Sequence, residues 1–218
     1  MAEELGKIER PDVTEFKKGR KLFFVPLVMS IGEGDLDLAM RIGKYWDQVD
    51  SQLTHLENRL GRVTCIFYEM VTAGGEEGLK TIETMCRDSL RITRSRIDMG
   101  ARLQPLEDAE LLFEYLDWGR CLNLGLQSQS VFNHVYEAYK KAQTNRNETI
   151  ARRIDENLGN DESGILIMQE GHGVQFPPDI QVIYVSPPAL DELKRWLRDR
   201  EEKREKEQEK TDGITERK

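Results

Sequence analysis

Short apolar runs alternate along the chain with longer stretches in which apolar residues recur every three or four positions. The runs lie at Lys21–Ser30, Arg62–Val71, Gly164–Glu170 and Ile180–Val185. Runs of this length and composition, bounded by glycine, proline or acidic turns, are typical of buried β-strands. The sequence therefore predicts a small sheet of about four strands.

A long amphipathic stretch separates the first two predicted strands. From Ile42 onward the spacing of its apolar residues alternates between four and three, at Trp46, Val49, Leu53, Leu56 and Leu60. This pattern predicts a helix over roughly residues 36–60. A strand, a helix and a second strand form a βαβ unit, so we expect these two strands to be parallel with a right-handed crossover.

Two features constrain how the predicted strands pair. Pro26 cannot donate a ladder hydrogen bond, which predicts an edge position, a bulge, or pairing that begins after the proline. The last two strands are separated only by residues 171–179, whereas a parallel crossover normally needs a dozen residues or more. We therefore expect them to be antiparallel neighbours or to be joined by an abbreviated link.

Helical periodicity without a strand signal fills the middle of the chain. The predicted helices are Glu76–Ile97, Glu107–Leu124 and Gln127–Leu158. They indicate a helical insertion at about residues 76–158, or a cap over the carboxyl edge of the sheet. A further helix, Ala189–Arg200, continues into a densely charged segment that is expected to fray toward Asp212 and Gly213.

The predicted fold class is therefore α/β, with a small, mostly parallel sheet, a large helical insertion and a charged C-terminal helix. We expect one domain over residues 21–200. A flexible N-terminal arm, residues 1–20, is expected to precede it, and a charged, partly disordered tail, residues 201–218, to follow it.

Charge and composition narrow the classes of function. The chain has 218 residues, a net charge of −8 and three cysteines without a C-x-x-C pair. An acidic chain is a poor match for phosphate backbones, and no apolar run approaches the ~20 residues of a membrane span. Residues 1–10 are polar and unlike a signal peptide. We therefore expect a cytoplasmic protein that binds neither nucleic acid nor membrane.

Acidic residues and one histidine follow the ends of three predicted strands. Glu33 and Asp35 follow the first strand, Glu69 ends the second, and Glu170 and His172 end the third. In parallel strands these ends meet at one edge, where carboxylates and an imidazole can bind a divalent cation or supply a general acid and base. In the alternative interpretation, Glu33 and Asp35 cap the next helix and Glu69 pairs with an arginine.

Arginine and the other histidines add three further expectations. Arg146 precedes an amphipathic stretch, and its guanidinium is suited to bidentate contact with a small anionic ligand; alternatively it is a surface residue. His134 shares a face with Val131 and Val135, which favours a hydrogen-bonded core histidine over a metal ligand. His55 lies off the apolar stripe of its helix and is expected to be solvated.

Several of these residues together resemble a known group of families. Arg146–Asn147 precedes a strand that ends in Gly171–His172, Gly32–Glu33 follows the first strand, and Glu69 ends the second. This arrangement is similar to that of the TraB/PrgY and Tiki-like proteins and, more distantly, the ChaN and erythromycin-esterase-like proteins. The resemblance implies the ancestry of a metal-assisted hydrolase with a degraded or altered site, or a protein that binds without catalysis. The first-turn histidine of those families is absent, and Asp35 stands near its place as a substitute ligand.

Two functional hypotheses follow. In the first, the protein is a hydrolase with a divalent metal at an altered site: Glu33, Asp35 and His172 bind the metal, Glu69, Glu170 and His172 are the catalytic groups, and Arg146 binds the substrate. In the second, it is a non-catalytic interaction or scaffold protein that self-associates through its helices, as a homodimer. The missing histidine and the charged tail favour the second hypothesis, whereas the convergence of carboxylates favours the first.

Overall fold

A computed structural model describes residues 18–29 and 34–215 of the chain, with side chains to residue 206. The predicted α/β fold is confirmed. In the described residues, five strands and six helices follow one another in this order: β1 Arg20–Pro26, α1 Leu36–Leu60, β2 Val63–Tyr68, α2 Gly75–Met85, α3 Arg87–Asp98, β3 Arg102–Gln104, α4 Ala109–Leu122, α5 Gln129–Asn157, β4 Ser163–Met168, β5 Ile180–Tyr184 and α6 Pro188–Thr215.

The strands form one sheet in the order β3-β2-β4-β1-β5. Every neighbouring pair is parallel, so β1 and β2 are parallel as predicted, with β4 between them. The prediction that the last two strands could be antiparallel neighbours is wrong, because β4 and β5 lie on opposite sides of β1. The connection 169–179 reaches back to the start of β5, which is feasible because an extended chain spans about 3.3 Å per residue.

Pro26 ends an interior strand rather than marking an edge or the start of pairing. Leu27 N donates to Met168 O on β4 at 2.9 Å. Because successive backbone N–H groups point to opposite sides of a strand, the nitrogen of Pro26 faces the β5 side. Pairing with β5 ends at Phe24 and Tyr184, so the missing donor has no ladder partner to lose.

The predicted helical insertion contains a strand that the sequence pattern did not indicate. β3 has only three residues and pairs with β2 through Cys65, Ile66 and Phe67. Three residues are too few to display an alternating pattern. Leu103 is its one buried residue, and it contributes to the same core as α2 and α3.

The two faces of the sheet are covered unequally. One face carries a large core that also contains buried residues of α1, α2, α3 and α6. In that core Tyr45 Oη donates to Pro26 O at 2.5 Å and Trp46 Nε1 to Val28 O at 3.2 Å, which fixes α1 against β1. The other face carries a smaller core that is covered mainly by Ile150, Ile154 and Leu158.

Helices α4 and α5 form an antiparallel pair joined by residues 123–128. The rings of Tyr115 and Tyr139 stack across the pair at 5.2 Å, and their hydroxyls are 3.1 Å apart. We call residues 109–145 the hairpin. Its buried residues, Leu112, Val135 and Ala142, belong to neither core of the sheet. The hairpin is therefore attached to the α/β body rather than packed into it.

The two ends of the described chain differ in part from the predicted domain limits. Most of the expected arm, residues 1–17, lies outside the described residues, and Arg20 already belongs to β1. Helix α6, which was expected to fray near Asp212 and Gly213, continues to Thr215. Within the described residues, no helix combines the length and apolar character needed to cross a membrane.

Candidate functional site

Arg146 lies at the point where α5 leaves the hairpin and begins to cover the sheet. Arg146 is only 4% exposed. The guanidinium donates from Nε to Glu107 Oε2 at 3.0 Å and from Nη2 to Glu69 Oε1 at 3.1 Å, and Nη2 also binds Glu107 Oε1. We call Glu69, Glu107 and Arg146 the Arg146 cluster. It joins the end of β2, the start of α4 and the middle of α5.

Backbone groups hold both carboxylates of the Arg146 cluster in place. Glu69 Oε2 accepts a hydrogen bond from Gln169 N, just after β4, at 2.8 Å. Glu107 N donates to Val71 O at 3.0 Å, and Glu107 Oε1 accepts from Met70 N at 3.3 Å. Each carboxylate therefore contacts Arg146 and a sheet-edge backbone group, so neither is free to reorient without losing a bond.

Aromatic rings close the hairpin side of the Arg146 cluster. The guanidinium carbon of Arg146 lies 4.8 Å from the ring centroid of Tyr115, within the range of a cation–π contact. Burial, together with the hydrogen bond that Tyr115 shares with Tyr139, raises the pKa of Tyr115 to about 12. Burial alone would lower the pKa of Arg146, but its bonds to Glu107 and Glu69 outweigh burial and raise it. The guanidinium therefore stays charged.

His172 lies beyond the end of β4 and packs between two phenylalanines. Its ring centroid is 5.1 Å from that of Phe24 and 5.6 Å from that of Phe176. Its Nδ1 accepts a hydrogen bond from Val174 N at 2.9 Å, which assigns the proton of the neutral ring to Nε2. Burial, and to a smaller degree the charge of Arg146, lowers the pKa of His172. In this state the ring offers a donor rather than a lone pair.

Glu170 and Asp35 face helix α6 and not the Arg146 cluster. Glu170 accepts hydrogen bonds from Tyr184 and from Lys194, whose Nζ lies 2.7 Å from Oε1. Burial raises the pKa of Glu170, but these bonds lower it by more. Asp35 accepts from Leu38 N at 3.0 Å and pairs with Arg200, and both contacts lower its pKa.

The predicted site residues that the structure describes do not share one set of partners: Asp35 and Glu170 each pair with a different residue of α6. The structure brings Glu69 and Arg146 together, and it confirms the alternative in which Glu69 pairs with an arginine and Asp35 caps α1. Glu33 lies outside the described residues. Among the residues that the structure describes, no three histidine, cysteine or acidic side chains are grouped so that they could bind a metal ion.

Of three further expectations from the sequence, two are wrong and one is confirmed. The prediction that Arg146 is a surface residue is wrong, because it is buried and its charge is paired with two carboxylates. His134 is exposed and not a core residue: of the two valines predicted to share its face, Val135 is buried but Val131 is exposed. His55 is exposed, as predicted. Glu107 was missed as a site residue. Acidic residues are common at helix starts, so its position gave no signal of pairing with Arg146.

Comparisons of the chain with protein-family models, with curated proteins and with solved structures found no match. The resemblance to the TraB/PrgY and Tiki-like proteins therefore remains a prediction that rests on the residues quoted for it.

Proposed function

We propose that this chain is a non-catalytic interaction protein, in which the α/β body holds the hairpin as its binding element. The observation that carries the proposal is the Arg146 cluster. The Nε and Nη2 donors of the guanidinium already bind Glu69 and Glu107, so neither bidentate edge of Arg146 is free for an anionic substrate. Both carboxylates would have to give up bonds to Arg146 before they could bind a metal.

The remaining predicted catalytic and metal-binding groups support the same conclusion. Glu170 is paired with Lys194, and Asp35 with Arg200, both on α6. A metal ligand must give up such a partner before it can coordinate, and His172 would have to exchange its Nδ1 hydrogen bond or move its proton. The hydrolase hypothesis thus requires several contacts to break, whereas the interaction hypothesis requires none.

The exposed surface of the hairpin supplies the positive support. Phe113, Leu124 and Val131 are 61%, 74% and 48% exposed. Phe132 and Tyr136, one turn apart on α5, stack their rings at 6.1 Å and are also exposed. Exposed aromatic and aliphatic side chains that are clustered on one element are typical of an interaction surface.

A thermal-shift titration of metal-stripped protein with zinc, manganese and magnesium tests this proposal. A ligand that binds only the native state, at a hundred times its dissociation constant, increases the free energy of unfolding by about 2.7 kcal/mol. For a domain of this size, each kcal/mol raises the Tm by roughly 2–4 °C. We expect no saturable rise with any of the three metals. His172→Ala and, as its matched control, the exposed His134→Ala complete the experiment.

A rise that saturates in the wild type, persists in His134→Ala and disappears in His172→Ala would overturn the proposal. It would place a metal at the end of β4 and favour the hydrolase hypothesis. A flat response in all three proteins supports a non-catalytic role.

A further inference from the structure

We infer that the hairpin binds the hairpin of a second copy of this chain, so that two copies form a four-helix arrangement with two-fold symmetry. The inference rests on the proposed function and specifies its partner. Four observations carry it: the poor burial of the hairpin, the area that it exposes, the distribution of its charges, and its rigid attachment to the sheet.

The hairpin lacks a core of its own. Over residues 109–145, all of them described, the buried residues are Leu112, Val135 and Ala142. Two helices can bury only one seam between them, whereas four helices enclose a core from all sides. The apolar residues beside the seam, Leu111, Leu116, Trp118 and Leu122, are accordingly only partly buried. A second pair of helices would cover them.

The exposed apolar area is sufficient for a dimer. Taking about 200 Å² for a large side chain, the exposed fractions of Phe113, Leu124, Val131, Phe132 and Tyr136 together amount to on the order of 500 Å². A standard interface buries about 800 Å² per partner. The partly buried residues that flank the seam, with the polar rim, supply the difference. A second hairpin therefore fits without any contribution from the α/β body.

The charges favour a second copy of the same chain. With a net charge of −8, two copies repel one another except where their surfaces are close to neutral. The hairpin is close to neutral, with four acidic and three basic residues. Asp117 and Arg120 pair with each other on α4, and Glu137 is an acid on α5. The other four charges are segregated: Glu110 and Glu114 lie on α4, and Lys140 and Lys141 on α5. All four are exposed, and none takes part in an ion pair among the described residues.

In a two-fold symmetric dimer, the contact between the acidic residues of α4 and the basic residues of α5 occurs twice. In an isologous interface the contact of α4 with the partner's α5 is repeated by symmetry. Glutamates of each copy then face lysines of the other, so the pairing is complementary in both halves. Because the Arg146 cluster fixes the base of the hairpin, little further conformational entropy is lost when the two hairpins associate.

Sedimentation velocity of the full chain over a wide concentration range tests the inference. We expect a reversible monomer–dimer equilibrium. The double variant Phe132→Ser/Tyr136→Ser should raise its dissociation constant at least about thirtyfold, which corresponds to about 2 kcal/mol. Met40→Ser is the matched control: Met40 is an apolar residue on α1, outside the hairpin, and is 66% exposed. It should leave the constant unchanged. Far-ultraviolet circular dichroism of dilute samples checks that each variant is folded.

A charge exchange tests the orientation independently. Glu114→Lys should weaken the dimer by placing a lysine against the partner's lysines. The further change Lys140→Glu should restore most of the lost affinity. Wild-type protein that stays monomeric, a dimer that is insensitive to Phe132→Ser/Tyr136→Ser, or a failure of Lys140→Glu to rescue would each overturn this pairing. A monomer that shows no metal response would refute the pairing alone; a metal response would refute the proposed function.

Discussion

The two halves of helix α5 lie in contrasting environments although they belong to one continuous helix. The C-terminal half buries Ile150 and Ile154 against one face of the sheet. The N-terminal half pairs with α4, buries Val135 and Ala142 outside both cores of the sheet, and leaves Val131, among others, exposed. The first half belongs to a closed core, whereas the second forms one side of an open, two-helix structure.

The boundary between these environments coincides with Arg146. At this residue the end of β2 supplies the carboxylate of Glu69, the start of α4 supplies that of Glu107, and the hairpin supplies the ring of Tyr115. Burying a charge is costly unless it is paired and hydrogen-bonded. The sequence therefore places a buried, fully paired charge where the helix passes from one environment to the other, which fixes the hairpin to the body.

Replacing Arg146 with methionine would break this attachment and give the largest effect. The substitution leaves Glu69 and Glu107 as buried carboxylates without a cation, so the free energy of unfolding should fall by about 3–5 kcal/mol. Urea denaturation followed by circular dichroism measures the loss. The control is Arg152→Met on the same helix, where the side chain is exposed. Equal losses in the two variants would contradict the role of the Arg146 cluster.

Neutralising the carboxylates shows whether the loss of stability comes from unpaired charges or from lost packing. Adding Glu69→Gln and Glu107→Gln to Arg146→Met removes both unpaired charges while the side chains keep similar volumes. The triple variant should recover a large part of the lost free energy, because the penalty for a broken buried pair is mainly that of the uncompensated charge. No recovery would assign the loss to packing.

Truncating one aliphatic residue in each half of α5 sharpens the comparison. Ile150 is fully buried, and Ile150→Ala should lower the free energy of unfolding by about 2–5 kcal/mol. Val131 is 48% exposed, and Val131→Ala should change it by no more than about 0.5 kcal/mol in dilute protein. Val135 is buried one turn from Val131, and the loss of free energy for Val135→Ala should lie between the other two losses. Similar losses for Ile150 and Val131 would show that the hairpin is packed as closely as the sheet.

The contrast also explains how much of the fold the sequence predicts. Four strands were predicted close to their observed limits because each carries enough β-branched and aromatic residues to show a pattern. The neighbours of each strand were not evident, since local periodicity does not report that β4 lies between β1 and β2. β3 escaped prediction because three residues show no period.

The candidate site was predictable only in part, for an electrostatic reason. Acidic residues near the carboxyl ends of parallel strands identified Glu69, and the helix position identified Arg146. Which cation each carboxylate selects depends on the tertiary arrangement. Lys194 and Arg200 draw Glu170 and Asp35 toward α6, away from the Arg146 cluster. The sequence alone could not distinguish a shared metal site from three separate ion pairs.

A smaller effect concerns the contribution of His172 to the pH dependence of the free energy of unfolding. Burial between Phe24 and Phe176, and the charge of Arg146, lower the pKa of His172 below its ordinary value of 6.5. As the pH falls below that value the unfolded state takes up a proton that the folded state does not yet bind. The free energy of unfolding therefore decreases with falling pH in this window, until the pH reaches the lowered pKa of the folded state.

Urea midpoints of wild-type protein and His172→Gln at about pH 7.5 and about pH 5.5 isolate this contribution, because glutamine does not titrate in the range where histidine does. The wild type should lose more stability between the two values than His172→Gln. Arg146→Met should lose less than the wild type, since one cause of the lowered pKa is removed while burial remains. Identical pH dependence in all three proteins would show that neither burial nor Arg146 lowers the pKa of His172.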